Sequence, residues 1–234
     1  MTLPIYLAMT DAEMHRCSPV PDHTAFMACH FSPYGTGICN LPTALPANSM
    51  LILNDRIPIC NHDPEEILAQ LNKLLEEITF CGLLLDFQRE GCAQSRAVAK
   101  FLTEKLSLPV GVSQPYARDL DCPVFVDPPA LHVPLSEHLK PWEGRQIWLD
   151  AALSAVCYRV DKSGCTQTPC NSPSEPLPQH DAQLHCHYRI QQESDHVAFT
   201  LTRAKEDLQD LLSEGQTIGV TAAIALYQEW SQFP

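Results

Sequence analysis

Between Ser49 and Gln88 the chain reads SMLILNDRIPICNHDPEEILAQLNKLLEEITFCGLLLDFQ. Its first part, Ser49–Arg56, is a short apolar run ending in polar residues, the pattern of a strand buried on both faces. Asp63 then reads as an N-cap, Pro64 takes the first helical position, and Glu66 completes a capping-box spacing. Ile67, Leu68, Leu71, Leu74, Leu75 and Ile78 recur at helical spacing and make one apolar face. Gly82–Gln88, GLLLDFQ, reads as a second buried strand. Strand, helix and strand at this spacing predict a parallel βαβ unit with a right-handed crossover.

Working outward, the same alternation continues. Ala93–Leu106 is an amphipathic helix with Ala97, Val98, Phe101, Leu102 and Leu106 inward, and Pro109–Gln114, Pro123–Asp127 and Gln146–Asp150 read as strands. Upstream, Pro4–Thr10 and Thr24–Phe31 are strands with little room for helices between them. Downstream, Ala204–Glu214 is a helix, capped by Thr202 and stopped by Gly215, before a last buried strand, Ile218–Leu226. The fold class is therefore α/β: eight strands, starting near residues 4, 24, 49, 82, 109, 123, 146 and 218, predict an irregular (β/α)8 TIM-like barrel. An open doubly wound sheet is the rival architecture. Ala155–Asp161, Leu184–Gln191 and His196–Arg203 alternate like antiparallel strands, so 155–203 reads as an antiparallel β insertion after the seventh strand. Thr166–Asp181, rich in Pro, Ser and Thr, reads as a loop. The expectation is a single domain over 1–234.

Composition narrows the function. The 234 residues carry a formal charge of −13, with only 15 Lys and Arg and no basic run. That argues against a nucleic-acid groove and against attraction to an anionic membrane surface. No segment is apolar for long enough to span a bilayer, and the N-terminus lacks the pattern of a signal peptide. A cytoplasmic location follows as the expectation, with the 11 Cys reduced and mostly acting as small buried hydrophobes.

In a parallel barrel the chemistry gathers at the strand C-termini. That rule selects Asn54, Asp55, Asp86, Gln88, Gln114, Tyr116, Asp127, Asp150, Tyr227, Gln228 and Glu229, with Arg56 and Arg118 as the local cations. A carboxylate-rich mouth suits a polyol, sugar or cation better than a phosphate, and no Gly-rich phosphate loop is present. The run CGLLLDFQ, Cys81–Gln88, resembles the fourth-strand signature D-G-x-x-x-D-x-E of family-18 glycoside hydrolases, the chitinase-like barrels: Gly82, Asp86 and the aromatic Phe87 fall in register. The resemblance implies a sugar site over Asp86, with Tyr227 near the aromatic floor of the last strand. It also implies an insertion after the seventh strand, as 155–203 provides.

The departures decide what activity to expect. The position of the family's catalytic acid is Gln88, and the first motif Asp is Cys81. An amide donates no acidic proton at neutral pH, so the usual mechanism loses the roughly 10²–10⁴-fold that general acid catalysis contributes. Asp86 and, two residues beyond Gln88, Glu90 are the candidate catalytic groups. Gln88, Asp55, Asp127, Asp150, Tyr227 and Glu229 are the candidate ligand-binding ones. The leading expectation is a glycoside-hydrolase-like barrel that binds a carbohydrate or small polar ligand. The alternatives are an active enzyme on a small polar metabolite that uses strand-end carboxylates, and an interaction scaffold that works through 155–203.

No cofactor is called for, and no metal is assigned. CxxC and HExxH are absent, and a composite site from His185, His187 and other residues stays an alternative. GxSxG is absent as well. The missing N-terminal helices would leave an apolar barrel flank, which allows a homodimer.

Overall fold

A computed structural model describes residues 3–34, 37–57, 62–170 and 177–231. In chain order β1 (Ile5–Met9) leads to a six-residue helix, α1 (Asp11–Arg16), held by a capping box between Thr10 and Glu13. Then come β2 (Thr24–Phe31), the short β3 (Ile38–Cys39) and β4 (Met50–Asn54). Helix α2 (Pro64–Glu77), capped by Asp63, leads to β5 (Gly82–Asp86) and α3 (Ala93–Lys105). β6 (Val110–Ser113), α4 (Gln114–Ala117), β7 (Val124–Val126), α5 (Leu135–Leu139) and β8 (Ile147–Asp150) complete the middle of the chain. Five more strands follow: β9 (Ser154–Asp161), β10 (Gly164–Pro169), β11 (Gln179–Asp181), β12 (Cys186–Gln192) and β13 (Val197–Arg203). The described chain ends with α6 (Lys205–Thr217), β14 (Val220–Leu226) and α7 (Tyr227–Trp230).

Eight strands close on themselves. The order β1-β14-β8-β7-β6-β5-β4-β2 runs parallel throughout, and β1 pairs with β2 to complete the ring. This is the predicted barrel, and the open sheet is ruled out by the β1–β2 ladder, Leu7↔Thr24 to Met9↔Phe26. β3 hangs antiparallel on β2 where a helix would normally stand. The two irregular connections predicted near the N-terminus are thus a short helix and a two-residue strand.

Strand periodicity sorts the side chains. Tyr6, Ala8, Ala25, Met50, Ile52, Leu84, Phe125, Trp148, Ala222 and Ile224 form one buried cluster, which fills the lumen. Gly111 makes room in it: a Cβ there would lie 2.2 Å from the Trp148 ring. The alternate strand residues pack outward against the helices, with Ile67, Leu71 and Leu74 of α2 and Val98, Ala99 and Leu102 of α3 buried. On α3 the inward small residue is Ala99, whereas Ala97 is exposed.

The antiparallel sheet, in the order β10-β9-β13-β12-β11, lies between the seventh and eighth barrel strands, as expected. It takes in part of the predicted Thr166–Asp181 loop. β10 extends to Pro169 after a turn at Gly164 (φ +137°), and β11 starts at Gln179; residues 171–176 of that loop lie outside the described residues. Register puts Val156, Tyr158, Leu201, Phe199, Cys186 and Tyr188 on one face. Its base is buried against Leu131. The other face, with Arg159, Thr200, Thr202, His187 and His180, is polar.

Helix α6 also departs from expectation. Its cap is the carboxylate of Asp207, which accepts from the Ala204 N–H at 2.9 Å, in place of Thr202. Gly215 lies inside the helix. It is small because a Cβ would meet Val220 Cγ2 at 2.9 Å, and the chain reverses four residues later at Gly219 (φ +110°).

Candidate functional site

The lumen's apolar filling stops one inward step before the strands end. Leu84 is followed inward by Asp86, Phe125 by Asp127, Trp148 by Asp150 and Ile52 by Asn54. These polar ends, with Gln88 and Arg56, rim a cavity of about 200 Å³ whose floor is Ile52, Leu84, Phe125 and Ile224. A second, open groove of about 710 Å³ adjoins it through Gln88 and Asp127 and is lined by Glu90, Gln114, His138 and Trp142. Another depression, about 790 Å³, lies at the opposite end of the barrel beside Gln146 and Gly219, where Glu143 is the one acidic residue among the described residues of its lining. The mouth, with its convergent carboxylates at the strand C-termini, is the stronger candidate.

The segment that follows β5 is held on both sides. Asp55 is 2% exposed, and its two oxygens accept from the Gln88 N–H at 2.9 Å and the Arg89 N–H at 3.2 Å. Arg89 returns a bond from Nε to the Asp55 carbonyl at 2.9 Å. On the other flank the Ser113 hydroxyl accepts from the Phe87 N–H at 3.0 Å and donates to the Phe87 carbonyl at 2.6 Å. Phe87 is buried in the outer layer beside Phe31 and Tyr116. With 87 facing out, 86 and 88 face the cavity, and Gln88 Nε2 donates to Asp86 Oδ1 at 2.5 Å.

Burial sets the protonation of the rim. Desolvation raises Asp86, helped by the charges of Asp55 and Asp127, while the Gln88 bond and Arg56 pull the other way. Asp150 is displaced further. Burial, reinforced by the charges of Asp127, Asp86 and Glu229, pushes its carboxyl up to about 7. The rim therefore holds a proton near neutrality, on a group that faces a cavity.

The predicted site residues divide accordingly. Asp86, Gln88, Asp127 and Asp150 line the cavity together, and Glu90 stands in the adjoining groove. Asp55 is one position out of phase and points away, into the loop it braces. Tyr227 lines a separate surface pocket with Glu13 and Arg16, its hydroxyl 3.6 Å from Cys17 Sγ. Leu226, not Tyr227, is the residue that continues the inward row from Ile224. Glu229 accepts from the Leu153 N–H at 2.9 Å and ties α7 to the loop after β8. Arg56 and Asn54 complete the rim. Both stood among the strand-end residues, and the inward phase of β4 would have promoted Asn54 over Asp55.

Cys81 and Leu84 take no part in the rim's chemistry. Cys81 Sγ lies 3.3 Å from the Tyr6 hydroxyl, and Leu84 belongs to the lumen's apolar filling. Among the described residues, the donors close enough to share a metal ion are His180, His187 and Asp207, on the insertion and α6 rather than at the mouth. His185 does not join them. It sits just before β12 at φ +46°, which breaks the strand alternation, and its Nε2 lies 2.6 Å from Glu214. The ten cysteines among the described residues are free thiols.

No protein-family model matches the chain. No curated protein matches it in sequence. Solved structures do resemble it. The chitinase from Chromobacterium violaceum ATCC 12472 superposes with a TM-score of 0.55 at 12% identity, over 96% of this chain and 93% of that one. The spore cortex-lytic enzyme SleL of Bacillus cereus gives 0.53 at 11% identity, over 98% of this chain and 73% of the other. SleL of Bacillus megaterium QM B1551 gives 0.54 at 9%, with the same coverage. The likeness is one of fold. A chitinase and two spore cortex-lytic enzymes are thus among the structural neighbours of this chain, and the similarity extends over nearly all of it. No helix among the described residues is long and apolar enough to cross a membrane.

Proposed function

We propose that the chain binds a glycan or sugar-like ligand in the barrel mouth and along the adjoining groove, without the acid-catalysed hydrolysis that a Glu at position 88 would support. The observation that carries this reading is the direction of two side chains. Asp86 and Gln88, the polar members of the CGLLLDFQ run, line an open cavity and are not used in packing. The chitinase-like fold of the structural neighbours supports the same ligand class.

In this reading Asp86 and Asp127 accept hydrogen bonds from sugar hydroxyl or amide groups, and Gln88 both donates and accepts. Trp142 offers an apolar ring face in the groove. Glu90 is the exposed carboxylate available there as a substitute acid. Asp55 and Glu229 act as positioning residues, through the loops they brace. Calorimetric titration with short and long chito-oligosaccharides tests this. Wild type should bind, Asp86→Ala should weaken binding by about tenfold or more, equivalent to ~1.4 kcal/mol, and Trp142→Ala should weaken the longer ligands selectively. Absence of binding by wild type overturns the reading.

A second reading is favoured by the placement of Asp150: it lines the cavity, and burial beside Asp127, Asp86 and Glu229 pushes its carboxyl up to about 7, the range a general acid needs. It makes the mouth an active site for a small polar or glycosidic substrate. Product analysis by mass spectrometry separates the two. Turnover that survives Gln88→Ala and vanishes in Asp150→Asn selects the enzyme.

A further inference from the structure

The insertion carries a second constellation, built from residues that do not line the mouth or its groove. On its polar face His180 of β11 and His187 of β12 are directly opposed in the antiparallel register. Opposed residues on one face hold their Cβ atoms about 5 Å apart, and here the ring centroids are 4.8 Å apart at an interplanar angle of 47°. Both rings turn to one carboxylate. His180 Nε2 lies 3.2 Å from Asp207 Oδ1, and His187 Nδ1 lies 3.1 Å from Asp207 Oδ2.

Asp207 is 2% exposed, yet among the described residues its ion pairs are to these two histidines and not to Lys or Arg. The buried guanidinium nearby, Arg203, spends its donors on the carbonyls of His185, Pro129 and Leu184. The carboxylate is fixed in orientation by the Ala204 N–H at 2.9 Å, the kind of outer partner that aims a ligand.

We infer that His180, His187 and Asp207 form a binding site for a divalent transition-metal ion of the zinc class, joining the insertion sheet to the start of α6. Two imidazoles and a carboxylate are the donors such an ion prefers. Ligand atoms at zinc bond lengths around one tetrahedral ion sit about 3.3–3.6 Å from one another. The donors here all lie within 4.8 Å of one another, with the two His–Asp contacts already near that spacing. The side chains of His180 and His187 are 40% and 32% exposed, so an ion has an entry path and keeps an outward coordination position for water.

The test uses the full chain stripped of metal with a chelator and titrated with Zn²⁺ by calorimetry, and with Co²⁺ by visible absorption. One ion per chain is expected, with a Co²⁺ d–d band. His180→Ala and His187→Ala, each partly exposed and outside the buried core, should each weaken affinity by at least ~100-fold, the upper end of what losing even an outer-shell partner costs. His185→Ala, next to the site but paired with Glu214, should bind as wild type does. Wild-type binding no tighter than that of the His180 and His187 variants would overturn the inference and leave the trio as plain histidine–carboxylate hydrogen bonds. An equal loss in His185→Ala would overturn it too. The readout is metal binding alone, so it stands or falls independently of the glycan reading.

Discussion

Replacing Asp150 by Asn should make the protein more stable at neutral and alkaline pH, and leave it nearly unchanged at pH 4. Asp150 has a folded-state pKa of about 7 against a reference of 3.8. Between those values the folded chain holds a proton that the unfolded chain releases. By linkage, stability then falls as pH rises through that window and levels off above it. The displacement of about three units, at 1.36 kcal/mol each, is about 4 kcal/mol. Asn removes the charge and keeps the shape, so the gap between variant and wild type should open from near zero at pH 4 to about 4 kcal/mol at pH 8. With a urea m-value of about 3 kcal/mol/M, that is a midpoint shift of about 1.3 M. Urea denaturation of both proteins across this range reads it directly. A gap that stays flat, or that closes as pH rises, would refute the claim that a buried, mutually repelling carboxylate cluster rims the mouth.

Three other outcomes follow from the geometry. Gln88→Glu restores an acid beside Asp86 and should give measurable cleavage of a fluorogenic chito-oligosaccharide if the mouth is a sugar site, whereas an inert variant that still folds and binds counts against the assigned register. Gly111→Ala drives a methyl into the Trp148 ring and should cost about 1–3 kcal/mol, the usual penalty of overpacking, visible as a lowered thermal midpoint; an unchanged midpoint would mean that the lumen is looser than described. Asp55→Ala strips the partner from two backbone N–H groups and should lose about 2–3 kcal/mol while also weakening ligand affinity, with Asp55→Asn recovering part of both; full affinity in the alanine variant would separate this brace from the site.

The barrel was legible because each buried strand announces itself as a compact apolar run. The expected strand starts at 4, 24, 49, 82, 109, 123, 146 and 218 lie within two residues of the observed Ile5, Thr24, Met50, Gly82, Val110, Val124, Ile147 and Val220. Asp86, Asp127 and Asp150 were legible for the same reason, as first polar residues after such runs. Asp55 and Tyr227 illustrate what the strand-end rule lacks, which is phase. Each stands one residue off the inward row, so one braces a loop and the other faces α1. Counting in steps of two from Ile52 and Ile224 would have selected Asn54 and Leu226. The trio on the insertion was harder to read. β11 is three residues long and lies inside a Pro-rich stretch, so His180 gives no strand signal, and its partnership with His187 depends on a register set by tertiary packing.

The closing ladder between β1 and β14 has a consequence for how the chain is made. Ile5 pairs with Ala223, so the ring's first strand waits for its last through most of the chain's synthesis. Until then β1 and β8 each present an unpaired parallel edge, the surface from which strands recruit strangers. The five-stranded insertion emerges in that interval, and its antiparallel ladders are far more local than the pairing that closes the ring. It can assemble while the ring is still open. A ribosome stalled between β8 and β14 would therefore hold a partial barrel with two adhesive rims, making this late interval the one in which the protein most needs a chaperone.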